Sequence, residues 1–522
     1  MQELDLLTLL GAIKKDIEER LETPSSVDKL ALLIDTAEDR HREDVLVEAI
    51  QISDLIEKSA VPVDACLVRY LRSNAWAALR QIRHSGDAVW AWKQPELVQQ
   101  IYWLRGAIQH EGFAALPSGR TAQIYCNLGN ALSEAGRFVD ALVEWRNALK
   151  AYPIQGMARG NLGIGLAQYG MALYDEGHTY WLLRSGRDEL RQAMGGGVGR
   201  DGATYPEALK AFLSYLENIE YQLSKFEGSH EDPPLEFPLG ETESEQRYRG
   251  WCLERNLFLN PLNDIGANSI AANDILVLPS HRVEGTGITY RAFFNQLKQE
   301  YVYARWCMFE GSSVESINFA DREVALEFNA DYAQYSVGLE QIKTAFRCAY
   351  SILDKVAYFV NAYWNVGMSE KQVNFRKVWH EDKKGQSVPV GHVRQVFEKS
   401  KNLPLRGLFW LSEDIFDKNL QDVADPIAKE LDTLRNHLEH KHAKIVMDGL
   451  PKFSTDPPMF NDHLAYLVSR EELYARSEHM VRMSRSALIY LSLAMHVEER
   501  RTRASGLVIP FDLGMYSDEL KV

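Results

Sequence analysis

Between residues 431 and 445 the chain reads LDTLRNHLEHKHAKI, in which four residues separate Arg435 from His440 and the polar Asn436 follows the arginine. These side-chain types suit proton transfer beside a phosphate. An imidazole titrates near neutral pH and can both accept and release a proton, a contribution typically worth ~10²–10⁴ in rate. A guanidinium stays charged and offers a planar fork of donors to anionic oxygens. The spacing also predicts how a helix displays them. Ile427, Leu431, Leu434, Leu438 and Ile445 fall at steps of four, three, four and seven, which makes one apolar stripe. At about 100° per residue, Asn436 lies opposite that stripe and His440 nearly so. Asp432, Asn436 and His440 succeed one another at i, i+4 and i+8 and share a polar face, with Arg435 beside it, next to Glu439. The histidine is therefore expected to face solvent, a substrate or a second copy of the chain.

Spacing alone is a weak signal, because Arg105 and His110 have it too. The surrounding elements decide. From Tyr290 onward the apolar period predicts a bundle: one helix from Tyr290, a long buried one from Val337, and a short one from Pro404. A fourth from Asp422 to Val446 carries Arg435 and His440, with Pro426 tolerable in its first turn. A long fifth from Ser469 opens with a capping box of Ser469 and Glu472. The Pro- and acid-rich run SHEDPPLEFPLGETESEQ, from Ser229, reads as a linker. Tyr248–Ile265, aromatic and Asn-rich, is expected to pack against the domain it introduces. The boundaries expected are a helical-repeat domain at 1–225, a linker at 226–247 and a helical bundle at 248–522.

Two family resemblances follow from these residues. The segment TAQIYCNLGNALSEAGRFVDALVEWRNALKAYP, from Thr121, resembles a tetratricopeptide repeat in Tyr125, Leu128, Gly129, Gly136, Phe138, Ala141, Trp145, Ala148 and Pro153. Leu128 to Leu162 and Gly129 to Gly163 are each 34 residues apart, the period of that repeat. The Arg-Asn-x3-His pattern late in a bundle resembles the signature of the HEPN superfamily, many of whose members are metal-independent endoribonucleases. The fold class expected is all-α, a tetratricopeptide-like repeat layer followed by a HEPN-like bundle.

The second resemblance implies that Arg435 and His440 form a catalytic pair with Asn436 as their polar neighbour. RNA supplies its own nucleophile, the 2′-hydroxyl, so the protein must move that proton, neutralise the phosphorane and protonate the leaving oxygen. Each chain offers one such histidine and arginine. The homodimer that the resemblance implies would offer two, one base and one acid. An RNA path needs positive charge, and Lys371, Arg376, Lys377, Lys383, Lys384 and Arg394 crowd one segment, with Phe375 and Trp379 among them as stacking candidates. Lys441 and Lys444 extend the charge beyond the pair.

Composition narrows the rest. The formal net charge of −15 excludes nucleic-acid binding through the whole surface, so a local basic patch is required. Five scattered cysteines without a C-x-x-C pair argue against a disulfide framework or a thiolate zinc site, and fit a reducing cytoplasm. No apolar run suggests a membrane span, and MQELDLLTLLGAIKKDIEER reads as an amphipathic helix rather than a signal peptide. His437 and His442 near the pair lack a third ligand, so neither metal nor other cofactor is expected. GGGVGRDG, from Gly195, has no following Lys-Ser/Thr and reads as a connector. The expected partners are RNA and a protein or peptide on the repeat surface, with a stress-response, toxin or anti-phage role by family analogy. The alternative is a non-catalytic adaptor, its repeats docking a partner while the bundle dimerises or binds nucleotide.

Overall fold

A computed structural model of the chain describes residues 6–18, 23–195, 206–226, 237–279, 287–313, 316–327, 332–381, 393–416, 431–446, 464–502, 514 and 516–521. The described residues are mainly helical. The N-terminal layer runs through α1 (Leu6–Glu18), α2 (Thr23–Asp39), α3 (Glu43–Ser59), α4 (Pro62–Arg83), α5 (Pro95–Ile108), α6 (Ser118–Glu134), α7 (Phe138–Ala151), α8 (Gly156–Ala172), α9 (Glu176–Gly195) and α10 (Pro206–Ser224). After it come α11 (Glu243–Glu254), α12 (Gly287–Ser312), α13 (Val337–Tyr363), α14 (Gln395–Glu398), α15 (Leu403–Phe416), α16 (Leu431–His440) and α17 (Arg470–Thr502). Strands β1 (His442–Val446) and β2 (Ala465–Ser469) lie between α16 and α17.

Small residues set the spacing of the N-terminal helices. A Cβ on Gly129 of α6 would stand 2.6 Å from the Trp145 ring of α7, and one on Gly165 of α8 would stand 2.4 Å from it. Trp145 Nε1 donates to Asn130 Oδ1 at 2.9 Å, and Asn161 Nδ2 donates to the same oxygen at 2.8 Å, so one indole fastens three helices. Gly136, at φ +88°, makes the turn between α6 and α7 in the left-handed region that favours glycine. Helix α7 ends at Ala151, two residues before Pro153.

In the C-terminal half, α13 buries Leu339, Ile342, Phe346, Leu353 and Val360, among others, and packs on α12 and α17. The Ser469 hydroxyl accepts from the Glu472 N–H at 3.1 Å and caps α17, as the sequence predicts. The expected fourth helix is shorter at its C-terminal end. It stops at His440, and His442–Val446 pair instead as a parallel strand with Ala465–Ser469. Ile445 thus reaches the core from a strand rather than from the helical stripe. Gln334 N–H also donates to the Ile445 carbonyl at 2.7 Å, which gives this strand a second backbone partner. The expected start at Asp422, with Pro426 and Ile427, lies outside the described residues, as does most of GGGVGRDG.

The two halves share one hydrophobic core. Residues 258–264 are wedged between them. Asp264, 4 % exposed, receives Arg485 of α17 in a two-pronged pair at 2.8 and 3.0 Å. Arg485 Nε also donates to the Phe258 carbonyl at 2.7 Å, while Tyr169 of α8 donates to Asp264 at 3.4 Å. Arg146 of α7 donates to the Asp264 carbonyl. Farther along the seam, Arg105 holds Asp414 of α15 through two bonds of 2.9 Å, and Arg137 meets the same carboxylate. The pair Arg105 and His110 is thus structural on its arginine side. Removing one member of a buried pair strands the other charge, at a cost of about 3–5 kcal/mol. Asp264→Ala is therefore expected to lower unfolding stability by that amount in a urea titration; a loss below about 1 kcal/mol would show that the pair does not hold the halves together.

Candidate functional site

Helix α16 is positioned by its apolar side. Leu431 and Leu434 are fully buried, Leu438 is partly buried, and the helix lies against α13. Tyr350 of α13 donates to Asp432 Oδ1 at 3.2 Å and fixes the first turn. The last turn is fixed by a different device. His437 donates from Nδ1 to the Thr433 carbonyl at 2.8 Å, and its ring stacks on Tyr466 of β2 with centroids 5.0 Å apart. The Tyr466 hydroxyl in turn accepts from the buried Arg476 of α17 at 2.8 Å. The small sheet and α17 therefore both brace the helix.

The polar face comes out as the spacing predicts in part. The His440 side chain is 68 % exposed, and its Nε2 lies 3.5 Å from Glu439 Oε2. Asn436 is half-buried. Arg435, 30 % exposed, does not stand free: its Nε is 3.2 Å from Glu439, and its guanidinium lies 5.1 Å from the centre of the Tyr350 ring. Asp354 of α13 belongs to the same neighbourhood. Burial, with the nearby Glu439 and Asp432 charges, pushes its carboxyl up, while the Phe375 N–H, donating at 3.0 Å, and Arg435 pull it down. Burial and Asp432 likewise push the Tyr350 phenol well up. Arg435 thus sits among carboxylates with a histidine beside it at the surface. The arrangement can present one imidazole to solvent and one guanidinium to an anion that displaces Glu439.

Tyr350 and Asp354 escape the sequence reading because they reach Arg435 from a helix about 80 residues away, a pairing no local period encodes. The basic segment is only partly assembled. Lys371 and Lys441 are exposed, Arg376 and Lys377 are partly exposed, and Lys383 and Lys384 lie outside the described residues. Arg376 stands over the Phe416 ring at 5.7 Å, and Arg394 donates to the Val378 carbonyl at 3.0 Å. Lys444 is 8 % exposed on β1. Phe375 and Trp379 are corrected from stacking candidates to core residues: both are fully buried, and Trp379 packs against Trp92, Phe397 and Phe409. Among the described residues, no group of three or more His, Cys, Asp or Glu side chains is placed to hold a metal ion, and no helix is long and apolar enough to cross a membrane.

The Asp354 environment has a consequence for stability. A carboxyl whose folded pKa is raised opposes folding once pH exceeds its unfolded value, near 3.8, and the opposition grows until the folded group also ionises. Asp354→Asn keeps an acceptor for the Phe375 N–H and removes the buried charge. The variant is expected to be more stable than the parent at pH 7, with the gap closing as pH falls toward 4. Denaturant midpoints at the two pH values test this; equal gaps would mean the carboxyl is not desolvated.

Residues 283–498 match the family model described as LA2681-like HEPN, a span that runs from just before α12 through most of α17 and includes the helix bearing Arg435 and His440. No curated protein and no solved structure matches the chain. The C-terminal part of this mainly helical chain is thus similar to HEPN domains, joined to an N-terminal helical layer that the family model does not cover.

Proposed function

We propose that the chain is a metal-independent endoribonuclease of HEPN type, active as a homodimer and regulated through its repeat layer. The observation that carries the reading is the exposed His440 beside Arg435 on α16, inside the segment that matches the HEPN model. In this mechanism one His440 takes the proton of the RNA 2′-hydroxyl, and the partner protomer's copy of the same residue protonates the departing 5′-oxygen. Arg435 gives its guanidinium to the phosphorane oxygens, where a fixed cation in a partly dry site gains most. Glu439 must then release Arg435 as the phosphate arrives, so the substrate itself completes the site. Asn436, on the same face, orients the RNA. Lys371, Arg376, Lys377, Lys383, Lys384, Arg394, Lys441 and Lys444 are the proposed sources of positive charge along the RNA path. A nuclease of this kind needs restraint inside its own cell, which suits a cytoplasmic role in toxin, stress or anti-phage responses.

The test is incubation of purified protein with mixed RNA in EDTA, beside His440→Ala and Arg435→Ala. Wild-type protein is expected to leave cyclic phosphate and 5′-hydroxyl ends, and each variant is expected to cut at least about a hundredfold more slowly. Equal cleavage by wild type and both variants would remove these residues from the mechanism. Intact RNA throughout, from protein shown to be dimeric, would favour an adaptor instead.

A further inference from the structure

The repeat layer and the bundle enclose a cavity of about 500 Å³ at their seam, within the range of about 300–1,000 Å³ typical of small-molecule sites. One wall is α6 and α7, with the apolar Tyr125, Leu128 and Val143; the opposite wall is α17, with Met483. The floor is the network that joins the halves, Arg485 on Asp264 and Arg137 beside Asp140. Because α17 lies across this part of the repeat hairpin, the Tyr490 hydroxyl bonding both Val139 N–H and Asp140, the hollow is closed along one side. A long peptide would need an open groove; a small molecule does not.

Charge in the cavity runs against the rest of the protein. Six arginine or lysine residues and four carboxylates line it, in a chain of net charge −15. The floor arginines are already paired. The cations on the solvent side are Lys150 at the end of α7, which has no ion-pair partner among the described residues, Arg255, and the half-exposed Arg482, whose pair with Glu478 on the same helix a phosphate would share. Arg255 stands 4.9 Å from the Trp251 ring and only loosely, at 3.6 Å, from Glu254. Glu144, half-buried on the same lining, takes one bond of 3.2 Å from Asn147, and burial pushes its carboxyl up. An apolar shelf, polar side chains beside it and basic groups at the mouth match one kind of molecule.

We propose that this seam cavity binds a small phosphomonoester with a flat apolar body, the body on Tyr125 and Val143, which the nearly buried Leu128 and Met483 back, and the phosphate on Lys150, Arg255 and Arg482. The ligand touches both the repeat layer and α17, so its binding energy favours the docked arrangement of the two halves. The site is separate from Arg435 and His440 and stands whether or not the chain cuts RNA.

The test is titration calorimetry of the full chain with adenosine 5′-monophosphate, adenosine and inorganic phosphate as probes. The variants are Lys150→Glu with Arg482→Glu, which reverses the mouth charge, and Val143→Trp, which fills the hollow from a position 37 % exposed and so tolerant of size. The monophosphate is expected to bind the parent chain. Charge reversal should weaken it about tenfold or more, the loss of one or two charge-assisted bonds, and the filling variant should abolish it while keeping the parent's melting temperature. Adenosine and phosphate are each expected to bind at least about tenfold more weakly than the monophosphate. No heat with the monophosphate at millimolar concentration overturns the proposal. Unchanged binding in both variants also overturns it, by placing the ligand elsewhere, and phosphate binding as tightly as the monophosphate overturns the assigned ligand class.

Discussion

The structure depends on the burial of Arg485 against Asp264. Both side chains are almost wholly removed from water, and a charge so placed is costly unless its partner and its remaining donors are satisfied. Here they are. The guanidinium also donates to the Phe258 and Asn260 carbonyls, so its donors meet a carboxylate and two peptide groups, and its proton is held far more tightly than in water. Such an arrangement specifies geometry. Helix α17 can dock on residues 258–264 in only one register, because any slip would leave an ion unpaired in an apolar interior. The same loop receives Tyr169 and Arg146 from α8 and α7, so the position of the bundle relative to the N-terminal layer follows from the same few atoms.

A second buried carboxylate repeats the logic on the other side of the seam. Asp414, on α15, takes both Arg105 and Arg137. Next to it Glu413 accepts His380 at 3.1 Å. The end of α15 is therefore tied to the N-terminal layer by one acid and to its own bundle by the adjacent one. Any displacement of α5 or α7 is carried to α15 through ion pairs rather than through loose apolar contact.

How much of this could be read in the sequence depended on the range of the interaction concerned. The hairpin of α6 and α7 was legible because Gly129, Gly136, Trp145 and Pro153 act on neighbours within about 30 residues of chain. The cap on α17 was legible because Ser469 and Glu472 are three residues apart. The candidate face was half legible. The helical period put His440 at the surface, but Arg435 is engaged by Glu439 and overlooked by Asp354, which arrives from a distant helix. The strands escaped notice because their pairing lies 23 residues apart and the first of them continues an apparent helical stripe. Trp379 looked available beside lysines, yet Trp92 and Phe409 bury it, and nothing in its local sequence announces partners so remote. Asp264 and Arg485, 221 positions apart, were illegible for the same reason.

Where the turn after α6 meets α15, two backbones touch without side chains between them. A Cβ on Gly407 would lie 2.5 Å from the Gly136 carbonyl oxygen, and one on Gly136 would lie 2.5 Å from the Leu403 carbonyl oxygen. Sliding α15 by one position would bring the side chain of Arg406 or Leu408 into that gap, so the contact acts as a stop against shear. The glycine contact thereby fixes where α15 stands along its own axis against the N-terminal layer.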